Sequence, residues 1–459
     1  MARRLRLVRD LLPLLLLGSL TLGQTPAEPA EADLLPRVET DGQVVVHTKP
    51  DWKSARRGVL LDCAVVGIRM KEEGPGCKAP WGQLRTDGWI CLDFVAETQE
   101  KLPNAHPMVA FDHPTPEERP EYLSTGEFDR DIGPAAEALL PYVYGRRMGR
   151  FAGRCYADVE AAAKGSNPVG QLNPKRRQAF VQVIDTEDGS FLERPDGTVV
   201  PVDDVFLYSP SRFGGVDLDE DWGPEDTVPA WVRRGGGRQR TEATIVSEII
   251  AELTPRTLVW VKEAILGDDG RTWMPIVRIG DGPGTGFIAA SRVRRLRPLD
   301  PPDGVTDDEV WLDVDLDQQV LTVFQGTTPQ YATMVSTGTS PDNETPVGLY
   351  RIKDKMLHWD MASRADADDY YHLEEVPWVM HYWPRYALHG AFWHDGFGER
   401  RSHGCINLAP KDARQIFDRT APAVPPGWHS AWESLDDPGS LLRIRLSDPH
   451  VPDRRSVLR

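Results

Sequence analysis

The chain has 459 residues, too many for one hydrophobic core, and a typical size of about 100–200 residues per domain suggests roughly three units. Its 40% hydrophobic and 27% charged residues are globular proportions, which excludes wholesale disorder. A formal net charge of −17 excludes nucleic-acid binding through a broad basic surface, and the acidity reads as solubility.

The first residues form a basic start (Arg3, Arg4, Arg6, Arg9), an apolar stretch from Leu11 to Leu22, and small residues at Gly23, Ala27 and Ala30. That order is the pattern of a secretion signal over 1–23, and the run is short for a stable anchor. The expected product is exported to the periplasm or cell wall, with no stable membrane insertion after cleavage. Residues 24–36, rich in Ala, Pro and Glu, read as a linker.

The 39 prolines and 40 glycines favour short strands and many turns over long helices. Val44–Val46, Val59 to Val66, Trp81 to Leu84 and Gly88 to Val95 pattern as a small β-barrel at 37–97. A loop-rich connector, 98–139, follows. The closing element recurs: Gly286 to Val293 repeats the glycine, aromatic, isoleucine and valine spacing of Gly88 to Val95, and each follows a Trp-containing strand, Trp81 or Trp273. A looser copy runs from Gly197 to Val202 and ends near Val205 and Phe206. The expected units are 37–97, 140–210 and 238–297, with a linker at 211–237 and a last boundary at Pro298 to Gly304. These units resemble bacterial SH3-like domains, which accompany cell-wall enzymes.

Beyond the boundary, Val310, Leu312, Val314 and Leu316 alternate with Trp311, Asp313, Asp315 and Asp317. The alternation predicts a strand with one apolar face and one solvated acidic face. Without a glycine turn or bidentate Glu, the aspartates do not form a calcium loop. Gln318-Gln319 predicts a turn, Val320 to Phe324 a returning strand, and 331–337 and 347–352 further strands.

Five cysteines are present: Cys63, Cys77, Cys91, Cys155 and Cys405. In an exported protein an odd number points to a reactive thiol, and Cys405 stands alone, 250 positions beyond Cys155. A small first barrel gains from a covalent staple, so Cys63 or Cys77 is expected to pair with Cys91, with Cys155 taking the third. Four cysteines allow three complete pairings, and sequence does not choose among them.

The chemistry concentrates in Leu388-His389-Gly390 and Ser402-His403-Gly404-Cys405-Ile406-Asn407-Leu408. A thiol must lose its proton to attack a carbonyl, and an imidazole can take that proton and return it to a leaving amine. The backbone N–H of Cys405, beside the compact Gly404, suits a developing oxyanion, and the Asn407 amide both donates and accepts.

This constellation resembles the L,D-transpeptidase, or YkuD-like, catalytic domain, whose signature is a His followed by Ser/Thr-His-Gly-Cys, a hydrophobic residue and Asn or Arg. The spacing of twelve residues between His389 and Ser402 is at the short end. Trp311 to Phe324, Ser336-Thr337-Gly338 with Thr345-Pro346-Val347-Gly348, and Val376 to Met380 also resemble segments of that domain, over about 308–446. The resemblance implies a mostly β catalytic domain behind two or three SH3-like units. It implies attack by Cys405 on the third residue of a peptidoglycan tetrapeptide stem, release of D-alanine, and transfer to an amine that forms a 3–3 cross-link or attaches a protein to the wall. His389 is then the base, oriented by the Gly390 carbonyl. His403 and Gly404 support the catalytic turn, and Ser402 and Asn407 serve the substrate. Carbapenem trapping of the thiol follows from the same resemblance. The acidic, Tyr-rich stretch 353–375 has no counterpart in the pattern and is expected to loop over the cleft.

No cofactor is expected. Seven of the eleven histidines lie between 358 and 429, yet no His-Glu-x-x-His or paired-cysteine motif accompanies them, so no metal is expected either. The alternatives are a thiol L,D-peptidase, in which water replaces the amine, and a non-catalytic wall-binding protein.

Overall fold

The structure is a computed structural model that describes residues 36–99, 140–218, 223–339, 342–363, 370–435 and 437–447. The signal segment and most of the linker and connector lie outside these residues. The described chain is mostly β, as its short apolar stretches between glycines and prolines require. No helix among the described residues is long and apolar enough to cross a membrane.

Three successive units share one strand-pairing scheme. In the first, Arg37–Thr40 pairs antiparallel with Val65–Glu72 and with the closing strand Val95–Thr98. Its second strand, Val44–His47, pairs with Arg56–Leu60 and Trp89–Cys91. In the last unit, Val228–Val232 pairs with Leu258–Val261 and Val293–Arg295, while Gly237–Arg240 pairs with Ile249–Leu253 and Phe287–Ala289. The middle unit places Val143–Arg147 between Arg176–Phe180 and Val205–Leu207, and Tyr156 bridges Val199. A single 3₁₀ turn precedes each closing strand, at Leu92–Phe94, Val202–Asp204 and Ala290–Arg292. Each unit has its own apolar core.

Two boundaries differ from the sequence expectation. Val59 to Val66 is not one strand. Arg56–Leu60 ends it and Val65–Glu72 begins the next, with Cys63 in the turn at φ +55°. The last unit starts at Val228, inside the expected 211–237 linker, where Pro229 and the flanking glycines and acidic residues masked a strand. Another part of that linker, Val216–Asp217, adds a strand to the C-terminal domain by pairing with Thr328–Met334. Cys77 and Cys91 are disulfide-bonded. Cys63 is free and exposed, and Cys155 is free and buried, so the expected second pairing does not form.

The C-terminal domain packs two sheets around one core. One sheet runs Val216–Asp217, Thr328–Met334, Val320–Gln325, Val310–Asp315, Leu441–Arg445, Gly348–Arg351. The other contains Asp354–Ala362, His372–Trp383, Tyr386–Gly390, Ile406–Leu408 and Trp428–Trp432. Leu312, Val314, Leu388, Ile406 and Leu408 meet between them, under the helix Pro410–Arg419. Proline at the helix start costs no hydrogen bond, because its missing N–H would have no partner there. At the other end, buried Lys355 donates to the carbonyls of Phe417 and Thr420, complementing the helix dipole.

The expected solvated face of Val310–Asp315 is buried instead. Asp313 and Asp315 stand opposite Arg443 and Arg445 of the parallel strand Leu441–Arg445 and pair with them. Trp311 stacks on Phe324 at 4.5 Å between ring centroids, with Arg443 over its ring. Alternation identified the two faces correctly but not that arginines cover the acidic one. Stretch 353–375 is likewise no simple loop. It contributes most of a long hairpin, Asp354–Ala362 paired with His372–Trp383.

All three units dock on this domain. Arg56–Leu60 extends its second sheet by pairing with Trp428–Trp432, where a Cβ on Gly58 would meet the Trp428 ring at 2.3 Å. Buried Arg57 binds Asp437 and the Trp432 carbonyl across that seam, and Asp87 within its own unit. The middle unit pairs Arg176–Arg177 parallel with His372–Leu373 and stacks Tyr144 on Phe392 at 3.7 Å. The last unit packs Trp231 and Trp260 against Met334, Phe397 and Ala409.

Candidate active site

Tyr386–Gly390 and Ile406–Leu408 pair in parallel, matching Leu388 with Ile406, His389 with Asn407 and Gly390 with Leu408. Strand alternation sends Leu388 and Ile406 into the core and leaves His389 and Asn407 on the other face. Cys405 immediately precedes this strand. Its Sγ lies 3.8 Å from the Arg385 carbonyl and has a backbone hydrogen bond with Ala387, two residues before His389 on the same strand face. The two motifs, separated by eleven residues in sequence, thus meet through one short parallel ladder.

His389 is buried, and its Nδ1 lies 3.2 Å from the Gly390 carbonyl. A carbonyl only accepts, so Nδ1 carries the proton and Nε2 is left as the basic nitrogen. Burial, the largest influence, pushes the imidazole down to about 4. Burial around the sulfur also raises the Cys405 thiol, against the backbone hydrogen bond at Ala387. Burial thus favours the neutral form of both the thiol and the imidazole.

The turn carrying Cys405 is fixed by its neighbours. Ser402 Oγ donates to the Cys405 carbonyl and accepts from the Gly404 N–H at 3.1 Å. Gly404 sits at φ +119°, and a Cβ there would meet Tyr386 Cε1 at 2.6 Å, so only glycine fits. Ser402 thus holds the turn. His403 is exposed, with its ring 5.0 Å from that of Tyr371, which immediately precedes the strand His372–Trp383.

Three residues join the site that sequence reasoning did not single out. Trp393 stacks on His389, with ring centroids 5.7 Å apart. His394 Nε2 lies 2.9 Å from the Asn407 amide nitrogen, and its Nδ1 accepts from the Gly396 N–H at 3.2 Å. The other amide atom of Asn407 is buried with no partner. Tyr382 is fully buried with an unpartnered hydroxyl, close enough to Cys405 for a thiolate to oppose its ionisation. Trp393 and His394 follow Leu388-His389-Gly390 within four residues, and that adjacency was the only available signal.

Residues 309–427 match the family model of the L,D-transpeptidase catalytic domain, YkuD. The putative L,D-transpeptidase YciB of Bacillus subtilis (strain 168) is 25% identical over 135 residues, which cover 26% of this chain and 63% of that relative. Among solved structures, L,D-transpeptidase 3 from Mycobacterium tuberculosis in complex with a faropenem-derived adduct is 21% identical, with 40% of this chain and 77% of that one covered and a TM-score of 0.25. The L,D-transpeptidase from Mycobacterium smegmatis is 19% identical, with 52% and 89% covered and a TM-score of 0.25. Residues 309–427 of this chain are thus similar to the YkuD-type L,D-transpeptidase catalytic domain.

Proposed function

We propose that the protein is an exported transpeptidase acting on peptidoglycan stem peptides, with Cys405 as nucleophile and His389 as base. His389 Nε2 takes the thiol proton as sulfur bonds to the carbonyl carbon of the third stem residue. The N–H of Cys405 faces the developing oxyanion. Collapse breaks the bond to the terminal D-alanine, whose nitrogen receives the proton from His389. An amine of a second stem then attacks the thioester, gives its proton to His389, and expels the thiolate, which takes that proton back. The product is a 3–3 cross-link, or a protein attached to the wall when the amine belongs to one. Asn407 holds the stem through the amide atom not engaged by His394.

The observation that carries this reading is the parallel pairing of Tyr386–Gly390 with Ile406–Leu408, which sets the thiol beside the strand of a buried, singly oriented imidazole. Residues 1–23 supply export, and the three repeated units are SH3-like modules that hold the enzyme against the wall. The test is incubation of the full chain with purified disaccharide-tetrapeptides and mass spectrometry of the products. Cross-linked dimers with loss of one D-alanine are expected. Tripeptide alone would point to water as acceptor, and unchanged tetrapeptide would refute the reading.

A further inference from the structure

Between the last β unit and the catalytic domain lies a cleft of about 850 Å³. One wall holds Arg234 and Arg256, and the other holds Trp393, His394, Asp395 and Arg401. It begins one side chain away from the reacting groups, because Trp393 stacks on His389 and His394 meets Asn407.

The cleft carries an excess of positive charge in a protein of net charge −17. Three guanidinium groups line it against one carboxylate. Asp395 is occupied: it pairs with Arg256 at 2.6 Å and accepts from Ser211 Oγ. Among the described residues, neither Arg234 nor Arg401 has a carboxylate within ion-pair distance. The Arg401 side chain lies over Gly396, where a Cβ would meet its Nε at 2.1 Å. Its charge is felt next door: after burial, Arg401 is the largest influence lowering the His394 imidazole.

Arg234 and Arg401 are exposed at the rim of the cleft and, among the described residues, have no carboxylate partner, and such guanidinium forks suit a planar anion. We infer that this cleft is a carboxylate-binding subsite for the stem peptide, with Arg401 and Arg234 as the groups that bind it. The inference rests on the proposed reading of Cys405 and His389. The carboxylate belongs either to the stem that acylates Cys405 or to the stem whose amine resolves the thioester. The last β unit, by contributing Arg234 and Arg256, then takes part in substrate selection as well as in docking.

The test uses the full chain carrying Cys405→Ala, which prevents turnover, and the tetrapeptide Ala-γ-D-Glu-Lys-D-Ala with its carboxylates free or converted to primary amides. Calorimetry should show the free form binding about tenfold more tightly, the ratio for one charge-assisted contact. Arg234→Gln with Arg401→Gln should bring the ratio close to one, while Arg401→Lys, which keeps the charge, should retain part of it. To separate the two stems, the Cys405 protein is acylated with the free form and then offered amine acceptors with free or amidated carboxylates. A preference only in this step assigns the cleft to the acceptor, and a preference in the first measurement assigns it to the donor. Equal affinity for both forms together with equal resolution rates, or a preference that survives the double arginine variant, overturns the subsite. A preference in binding without any acyl adduct on Cys405 would leave the subsite standing and remove the proposed reaction instead.

Discussion

Thr345 Oγ1 donates to the carbonyl of Gly404 at 2.8 Å and accepts from the N–H of Gly338 at 2.9 Å. One hydroxyl thus ties Ser336-Thr337-Gly338 and Thr345-Pro346-Val347-Gly348 to the turn that presents Cys405. Ser336 and Gly338 add backbone bridges to Asn407 and Ser402. These segments carry no reacting group. They hold the backbone on which the thiol is aimed.

Gly404→Ala tests that rigidity. The new methyl enters Tyr386 and a side chain is forced into a left-handed conformation, a strain of about 1–3 kcal/mol. Acyl transfer should fall at least tenfold while thermal melting drops by a few degrees. A variant with wild-type kcat and melting would show that the turn relaxes freely.

His389 sets a pH dependence with a definite sign. Its imidazole titrates at about 4 because burial disfavours the cation. The base is available above that value and is lost as pH falls through it, so acylation should decline about tenfold per pH unit below about 4. Between pH 5 and 7 no imidazole limb should appear. His389→Gln should remove the acid limb and lower acylation by on the order of 10²–10⁴. A rate that halves near pH 6.5, as for an exposed histidine, would contradict the buried neutral base.

His394→Leu keeps approximate volume but removes the partner of Asn407. The freed amide rotates, so the loss should appear in KM for the stem, about threefold to tenfold, one neutral hydrogen bond's worth. Alkylation of Cys405 by iodoacetamide should proceed at the wild-type rate. A slowed alkylation would place His394 in thiol activation instead.

Much of the candidate site was legible in the sequence, because the thiol, the imidazole and the glycine turn are concentrated in two short motifs. Their meeting followed from the resemblance. Its physical cause, the parallel pairing of His389 with Asn407, was not visible, since periodicity does not reveal which strands pair. The acidic face of Val310–Asp315 was misjudged for the same reason: Arg443 and Arg445 lie 130 residues away from their partners. Val228–Val232 was missed because Pro229 and nearby glycines imitate a linker, while its true pairing partners lie 30 and 60 positions on. The hydrogen bond from Ser402 to the Cys405 carbonyl was not visible, because it depends on the local fold of the turn.

The Cys77–Cys91 bridge closes a loop with a separation of 14 residues in the unit that docks through Gly58 and Arg57. Replacing both cysteines by serine should cost about 3 kcal/mol, the chain-entropy value for a loop of this size. Denaturant melts of the oxidised protein and the double variant measure the difference. Equal midpoints would show that the barrel core alone holds the unit.

The central claim is that Cys405 becomes acylated. Intact-mass measurement of the full chain, before and after exposure to a carbapenem or to tetrapeptide stems, reads it directly. The account predicts one adduct per chain on the wild type, located by peptide mapping to Cys405, and none on Cys405→Ala. An unmodified wild type, or an equal adduct on the alanine variant, would contradict it.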